Sequence, residues 1–248
     1  MKSILILAIL TFMLLIGACA GEDDQGKDKV PPVRPTMISH LGDTGDPPVT
    51  LNDDNNGIDA VPEGQWIRLQ WSPFVDNDLS HVHIYRYSDL DPTSVLIANI
   101  QANSDFYLDQ GPLIERTWYS YYIELFDASG NSSVSDTVSY AILAKSQLAS
   151  PGNGDYVSTA GLNFSWYRAD DRTGFYRVLL FDEENRLIWH DDFHLATEDD
   201  PLSLPLPNMT PPIPSGSTLR WRVDYFDWDE DFQMFMGSES EERIIHIL

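Results

Sequence analysis

The sequence predicts an all-β protein built from two tandem antiparallel β-sandwiches, and three observations carry this. Apolar and polar residues alternate with period two in short runs, the signature of half-buried strands. Gly, Pro, Asp and Asn clusters separate the runs, and no amphipathic helical period follows the N-terminal leader. The plan is laid out twice over halves of similar length. Among 248 residues are 7 Trp, 11 Tyr and 11 Phe, enough ring area to fill two cores and to set the chain apart from disordered polymers.

In the first half, Ile67, Leu69 and Trp71 alternate with Trp66, Arg68 and Gln70, and Val82 and Ile84 alternate with His81, His83 and Tyr85. Tyr119, Tyr121, Ile123 and Leu125 alternate with Trp118, Ser120, Tyr122 and Glu124. Each run has one inward face, because successive side chains point to opposite sides of a sheet. Ser72-Pro73, Gly111-Pro112 and the stretch from Asp127 to Asn131 end strands through local side-chain bonding or a favourable φ. In the second half Leu162, Phe164 and Trp166, then Tyr176, Val178 and Leu180, then Leu219, Trp221 and Val223 repeat the plan.

Four stretches resemble the fibronectin type III family: Leu69 to Pro73, Val82 to Arg86, Leu113 to Tyr119 and Asp127 to Ser132. The resemblance covers residues 35–144. It implies that Trp71 fills the core from the second strand and that Tyr119 makes a corner hydrogen bond. Residues 145–248 resemble a divergent fibronectin type III or immunoglobulin-like domain. Leu219 stands there where Tyr119 stood, so the corner bond is expected to be missing. The family serves adhesion, spacing and recognition alike, so the fold alone does not fix the function.

Lys2, the apolar run from Ile4 to Ile16, and the small residues Gly17 and Ala18 read as an export signal too short to span a bilayer as a helix. Ile16-Gly17-Ala18-Cys19 resembles the lipobox of bacterial lipoproteins, which implies cleavage after residue 18 and lipid on Cys19. The alternative is a lone thiol in an ordinary secreted protein. Cys19 is the one cysteine, so no disulfide within the chain is available and the sandwiches rest on their own cores. Residues 19–34 read as a polar tether with a reach of about 20 Å. The expected address is the cell envelope. Ala20 lacks the aspartate that retains many lipoproteins at the inner membrane, which favours the outer one. A formal charge of −24 repels phosphate backbones and anionic headgroups, which argues against nucleic acid and leaves the membrane contact to the lipid.

Residues 42–56 exceed an ordinary connection. Within and after them, Asn52, Asp54, Asn56 and Glu63 around Gly57 approach a calcium-loop spacing of oxygen ligands. Pro47, Pro48 and Pro62 exclude the helix pair of an EF-hand, so the choice is a helix-free calcium loop or an acidic loop without an ion. No other cofactor is expected.

With the third and sixth strands paired as the family resemblance implies, alternation places His83, Tyr85, Trp118 and Tyr122 on one outer face of the first domain, as a recognition patch or as cross-strand pairs that steady the sheet. The preferred recognition element is the segment from Asp227 to Gly237, with Trp228, Phe232 and Phe235 as contact residues on a loop presented by a rigid scaffold. The competing reading has Phe226, Trp228, Phe232, Met234 and Met236 continuing one buried face of a long hairpin. His81 and His83 lack a third metal ligand. The stretch from His190 to His194 reads as a solvated connecting loop. No nucleophile elbow, glycine-rich phosphate loop, His-Glu-x-x-His or paired-cysteine motif occurs. The sequence therefore points to a non-catalytic binding module for an envelope protein or polysaccharide, against a structural spacer or an accessory to a polysaccharide-degrading system.

Overall fold

The computed structural model describes residues 28–39, 58–61, 64–170, 174–194 and 201–248, with the backbone alone for 58–61, 193 and 194. Every regular element among them is a strand. Domain one contains β1 (Met37–Ile38), β2 (Ile58–Val61), β3 (Gly64–Trp71), β4 (Leu79–Ser88), β5 (Val95–Gln101), β6 (Phe106–Asp109), β7 (Trp118–Asp127), β8 (Ser132–Val134) and β9 (Val138–Ala141). One sheet has β3 at its centre with β1 and β2 along one edge and β6 along the other. The second runs β5, β4, β7, with β8 and β9 sharing the far edge of β7. Had β1 kept its register, residue 41 would face Ile67. Residue 58 does so instead, so β1 and β2 lie along one edge of β3 in registers seventeen residues apart.

The inward set is the one alternation assigns. Ile67, Leu69, Trp71, Val82, Ile84, Tyr121, Ile123 and Leu125 have no exposed surface. The Trp71 indole N–H donates to the Ser104 carbonyl at 3.0 Å, which removes the cost of burying that polar atom. The Tyr119 hydroxyl accepts the Ile114 N–H at 2.8 Å and forms the corner that the family resemblance implies. Tyr121 and Arg86 both donate to the buried carboxylate of Asp109, at 2.9 and 2.7 Å.

Domain two contains β10 (Gln147–Ser150), β11 (Asp155–Val157), β12 (Asn163–Tyr167), β13 (Phe175–Phe181), β14 (Leu187–His194), β15 (Leu202–Pro205), β16 (Thr218–Asp229), β17 (Met234–Glu239) and β18 (Arg243–Ile247). Its sheets run β10, β12, β15 and β11, β18, β16, β13, β14, with β17 beside the outer half of β16. Phe164, Trp166, Tyr176, Trp221 and Tyr225 fill the core. Leu219 is buried at the corner position, and on β13 the Tyr176 hydroxyl accepts the Ala169 N–H at 3.1 Å. Gly174 lies against the Tyr225 ring, and a Cβ there would overlap it.

Two expectations are corrected. The stretch from His190 to His194 is part of strand β14, paired residue for residue with β13; Asp192 is engaged by Arg177 at 2.6 Å, so this is a sheet edge and not a loop. The segment expected to be free up to residue 34 is bound to domain one from Asp28 onward. Asn131 Nδ2 donates to the Asp28 carbonyl at 3.0 Å, Ser133 Oγ to the Pro32 carbonyl at 2.6 Å, and Arg34 Nε to the Val134 carbonyl at 3.0 Å. Backbone carbonyls satisfied in this way fix the path of a segment that has no apolar period of its own.

Candidate recognition surface and domain joint

Between the domains the chain has no slack. Ile142 belongs to the first core and Leu143, the next residue, to the second. Ile142 bridges Gly237, the Leu143 N–H donates to the Gly237 carbonyl at 2.9 Å, and Ser238 Oγ donates to the Ala144 carbonyl at 2.7 Å. The connecting residues thus meet β17 through one parallel bridge and two further hydrogen bonds, with β16 on the other side of β17.

Side chains close the joint. Arg116 donates to Asp170 at 2.7 Å and to Asp227 at 3.0 Å, and Asp170 also accepts the Tyr225 hydroxyl at 2.7 Å. Burial lowers the affinity of Arg116 for its proton, but the two carboxylates outweigh it and hold the guanidinium above its ordinary range. Burial and the neighbouring Asp170 push the Tyr225 hydroxyl far up, so it keeps the proton that it donates to Asp170. Trp118 donates its indole N–H to Asp229 at 2.9 Å and stacks on Phe232 with ring centroids 4.9 Å apart. Burial works against ionisation of Asp229, yet the Trp118 N–H and the backbone N–H groups of Phe232 and Asp231 outweigh it and hold its carboxyl below the usual value.

The expectation for Trp118 is corrected accordingly. It was placed on an outer face, and it does leave the core of its own domain, but it is 2% exposed and packs into the core of domain two. Alternation along one strand gives the face of a side chain and not what lies beyond that face. Phe232 is also part of the joint, although its outer side remains 44% exposed.

Trp228 and Phe235 are cross-strand partners on β16 and β17 and form a second aromatic group. Their rings meet edge to face at 4.8 Å, Phe235 meets Phe226 edge to face at 5.8 Å, and Phe226 stacks on Phe175 at 5.4 Å. The Arg177 guanidinium lies over Phe226 at 5.3 Å, a favourable cation–π placement. Phe226 is buried, Phe175 and Phe235 are half-buried, and Trp228 is 37% exposed. The reading in which every even residue of the hairpin continues one buried face fails at the tip. Phe226 and Met236 are buried, whereas Trp228, Phe232 and Met234 are exposed. The turn closes through Gln233 in the left-handed region (φ 54), and side chains there pass the edge of the sheet.

On domain one, His83, Tyr85 and Tyr122 share the expected face. His81 and Phe126 join them, with their rings stacked at 4.5 Å. Tyr85 and Tyr122 stack on each other at 4.9 Å, and their hydroxyls meet Glu124 at 3.2 Å and Ser94 at 2.8 Å. Rings that cover one another and hydroxyls with internal partners match cross-strand stabilisation of a sheet.

Cys19, Asn52, Asp54, Asn56 and Glu63 lie outside the described residues. A carboxylate cluster that the sequence did not suggest, Asp28, Asp78 and Asp127, brings three oxygens within 4.8 Å of one another. Asp127 already accepts the Ser129 and Asn131 N–H groups at 2.8 and 2.9 Å and so closes the turn after β7. The members lie far apart in sequence, and no local motif joins them.

Two sheets of this order, with a tyrosine corner in the first domain, define a tandem of fibronectin type III-like β-sandwiches. No protein-family model matches the chain, and no curated protein matches it. Among solved structures it is similar to the FN1–FN3 domains of chicken CNTN1, at 17% identity over 88% of this chain and 67% of that one, with a TM-score of 0.29. The fold assignment stands on the strand order and register above.

Proposed function

We propose that this protein is a non-catalytic lipoprotein of the bacterial cell envelope, anchored through Cys19, whose two sandwiches form one stiff body and present the Trp228–Phe235 ridge to an envelope protein. One observation carries the reading. The joint absorbs Trp118 and one side of Phe232, while Trp228, from the same hairpin, sets its ring against Phe235 and keeps 37% of its surface exposed. A large exposed ring on a scaffold held from both sides is what a recognition residue requires, since little motion is lost on binding. Edge-to-face rings make a corrugated apolar ridge that suits protein side chains. A sugar platform requires an open, flat ring face, which fits the half-exposed Trp228 indole less well.

A spacer is the second reading, and the buried Trp118 favours it, because a joint that consumes aromatic surface holds distance and orientation. Immobilised protein exposed separately to envelope-protein and cell-wall polysaccharide fractions discriminates the readings. Retention of an envelope protein that a Trp228→Ala, Phe235→Ala variant loses supports recognition. Retention of polysaccharide alone supports the accessory glycan-binding role, and retention of nothing leaves the spacer.

A further inference from the structure

The far pole of domain two rebuilds the joint pole of domain one with its charge reversed. In domain one the corner before β7 places Arg116 in the left-handed region (φ 58), and Asp89 accepts the Trp118 N–H at 3.1 Å. A hundred residues later the corner before β16 places Gly216 there (φ 84), and Glu183 accepts the Thr218 N–H at 3.1 Å. The left-handed turn and the carboxylate that accepts the N–H two residues on are repeated, but the tyrosine hydroxyl, the cation and the indole are gone. In their place is a cleft of about 700 Å³ lined by Met209, Ile213, Leu219 and Pro211 among others, together with Asp182, Glu183 and Glu184 of the turn between β13 and β14. No atom lies within 4 Å of where a Gly216 Cβ would stand, so the missing side chain leaves open space.

We propose that this cleft is a docking site for a loop of a partner protein that carries an arginine or lysine beside apolar residues. Its volume is in the range of built ligand sites. Three carboxylates line it against one guanidinium, Arg186, which already pairs with Asp182 and Glu184 at 2.7 Å each; the formal balance stays negative, and an apolar wall strengthens attraction for a cation placed within it. At the joint domain one supplies the cation and domain two the carboxylates; at the far pole domain two supplies the carboxylates and the partner the cation. A second copy of this chain is the wrong occupant, because the hairpin tip that would enter carries Asp227, Asp229, Glu230 and Asp231 and would meet carboxylates with carboxylates. The site is separate from the Trp228 ridge and stands without it.

The test is an NMR titration of the ¹⁵N-labelled protein with two capped pentapeptides, Gly-Leu-Arg-Leu-Gly and its Gly-Leu-Glu-Leu-Gly counterpart. The arginine peptide is expected to shift amides of residues 182–188 and 209–219, and the glutamate peptide to leave them in place. Glu184→Gln should weaken the response about two- to fivefold, the range of a partly exposed ion pair. Gly216→Arg should abolish it by filling the cleft, whereas Gly216→Asn, which tolerates the same backbone, should retain it. Equal shifts from both peptides, shifts confined to other parts of the protein, or none at all would overturn the proposal.

Discussion

The guanidinium of Arg116 in domain one spans Asp170 and Asp227 of domain two, at 2.7 and 3.0 Å, and it does so from a left-handed backbone that aims it out of its own domain. A charged donor shared by two carboxylates is worth about 1.5–3 kcal/mol when both bonds are intact. Arg116→Ala keeps the backbone requirement and removes the clasp. The expected result is a single thermal transition that splits into two as the domains uncouple, with a larger radius of gyration in solution scattering. An unsplit transition at the wild-type midpoint would show that the backbone joint suffices alone.

Trp118 is held more deeply than Arg116. Trp118→Ala removes a fully buried ring and should cost about 3–5 kcal/mol, read as a loss in denaturant midpoint. Trp118→Phe keeps ring packing on Phe232 but drops the bond to Asp229 and should cost about 1–2 kcal/mol. Equal losses for the two variants would place the stability in the hydrogen bond and not in the stack.

The joint should also weaken in acid. Asp229 titrates below the ordinary carboxylate value in the folded protein, so its contribution is complete above the unfolded value of about 3.9 and is lost as pH falls through the lower folded value. Urea midpoints compared at pH 7 and at successive values below 4 should fall more steeply for wild type than for Asp229→Asn. Parallel curves would remove Asp229 from the account.

The corner of domain one offers a separate check. Tyr119→Phe leaves the ring and deletes the acceptor for the Ile114 N–H, an expected loss of about 1–2 kcal/mol, read in the Arg116→Ala background as a shift of the domain-one transition alone. No domain-two counterpart exists at Leu219, so Leu219→Phe should gain nothing of the kind.

Much of this architecture was legible in the sequence because period-two alternation and turn chemistry are local. The role of Trp71 in the core and the Tyr119 corner came from the family resemblance, whereas the inward faces of β3, β4 and β7 follow from alternation. What lay beyond a face did not. Trp118 satisfies the alternation rule for an outward side chain and still ends up buried, since its cover comes from Phe232, more than a hundred residues away. The anchoring of residues 28–36 was equally hidden, because it uses backbone carbonyls, which every residue has. The stretch from His190 to His194 reads as a loop by its polarity, but as an outer strand of its sheet it needs only one apolar face.

In the proposed function one hairpin serves two purposes, Phe232 for the joint and Trp228 for recognition. The most direct measurement compares Trp228→Ala and Phe232→Ala side by side for retention of envelope protein and for thermal midpoint. The account predicts that Trp228→Ala loses retention with its midpoint almost unchanged, while Phe232→Ala lowers the midpoint and retains its partner. Full retention by Trp228→Ala, or the same loss in both variants, would contradict it.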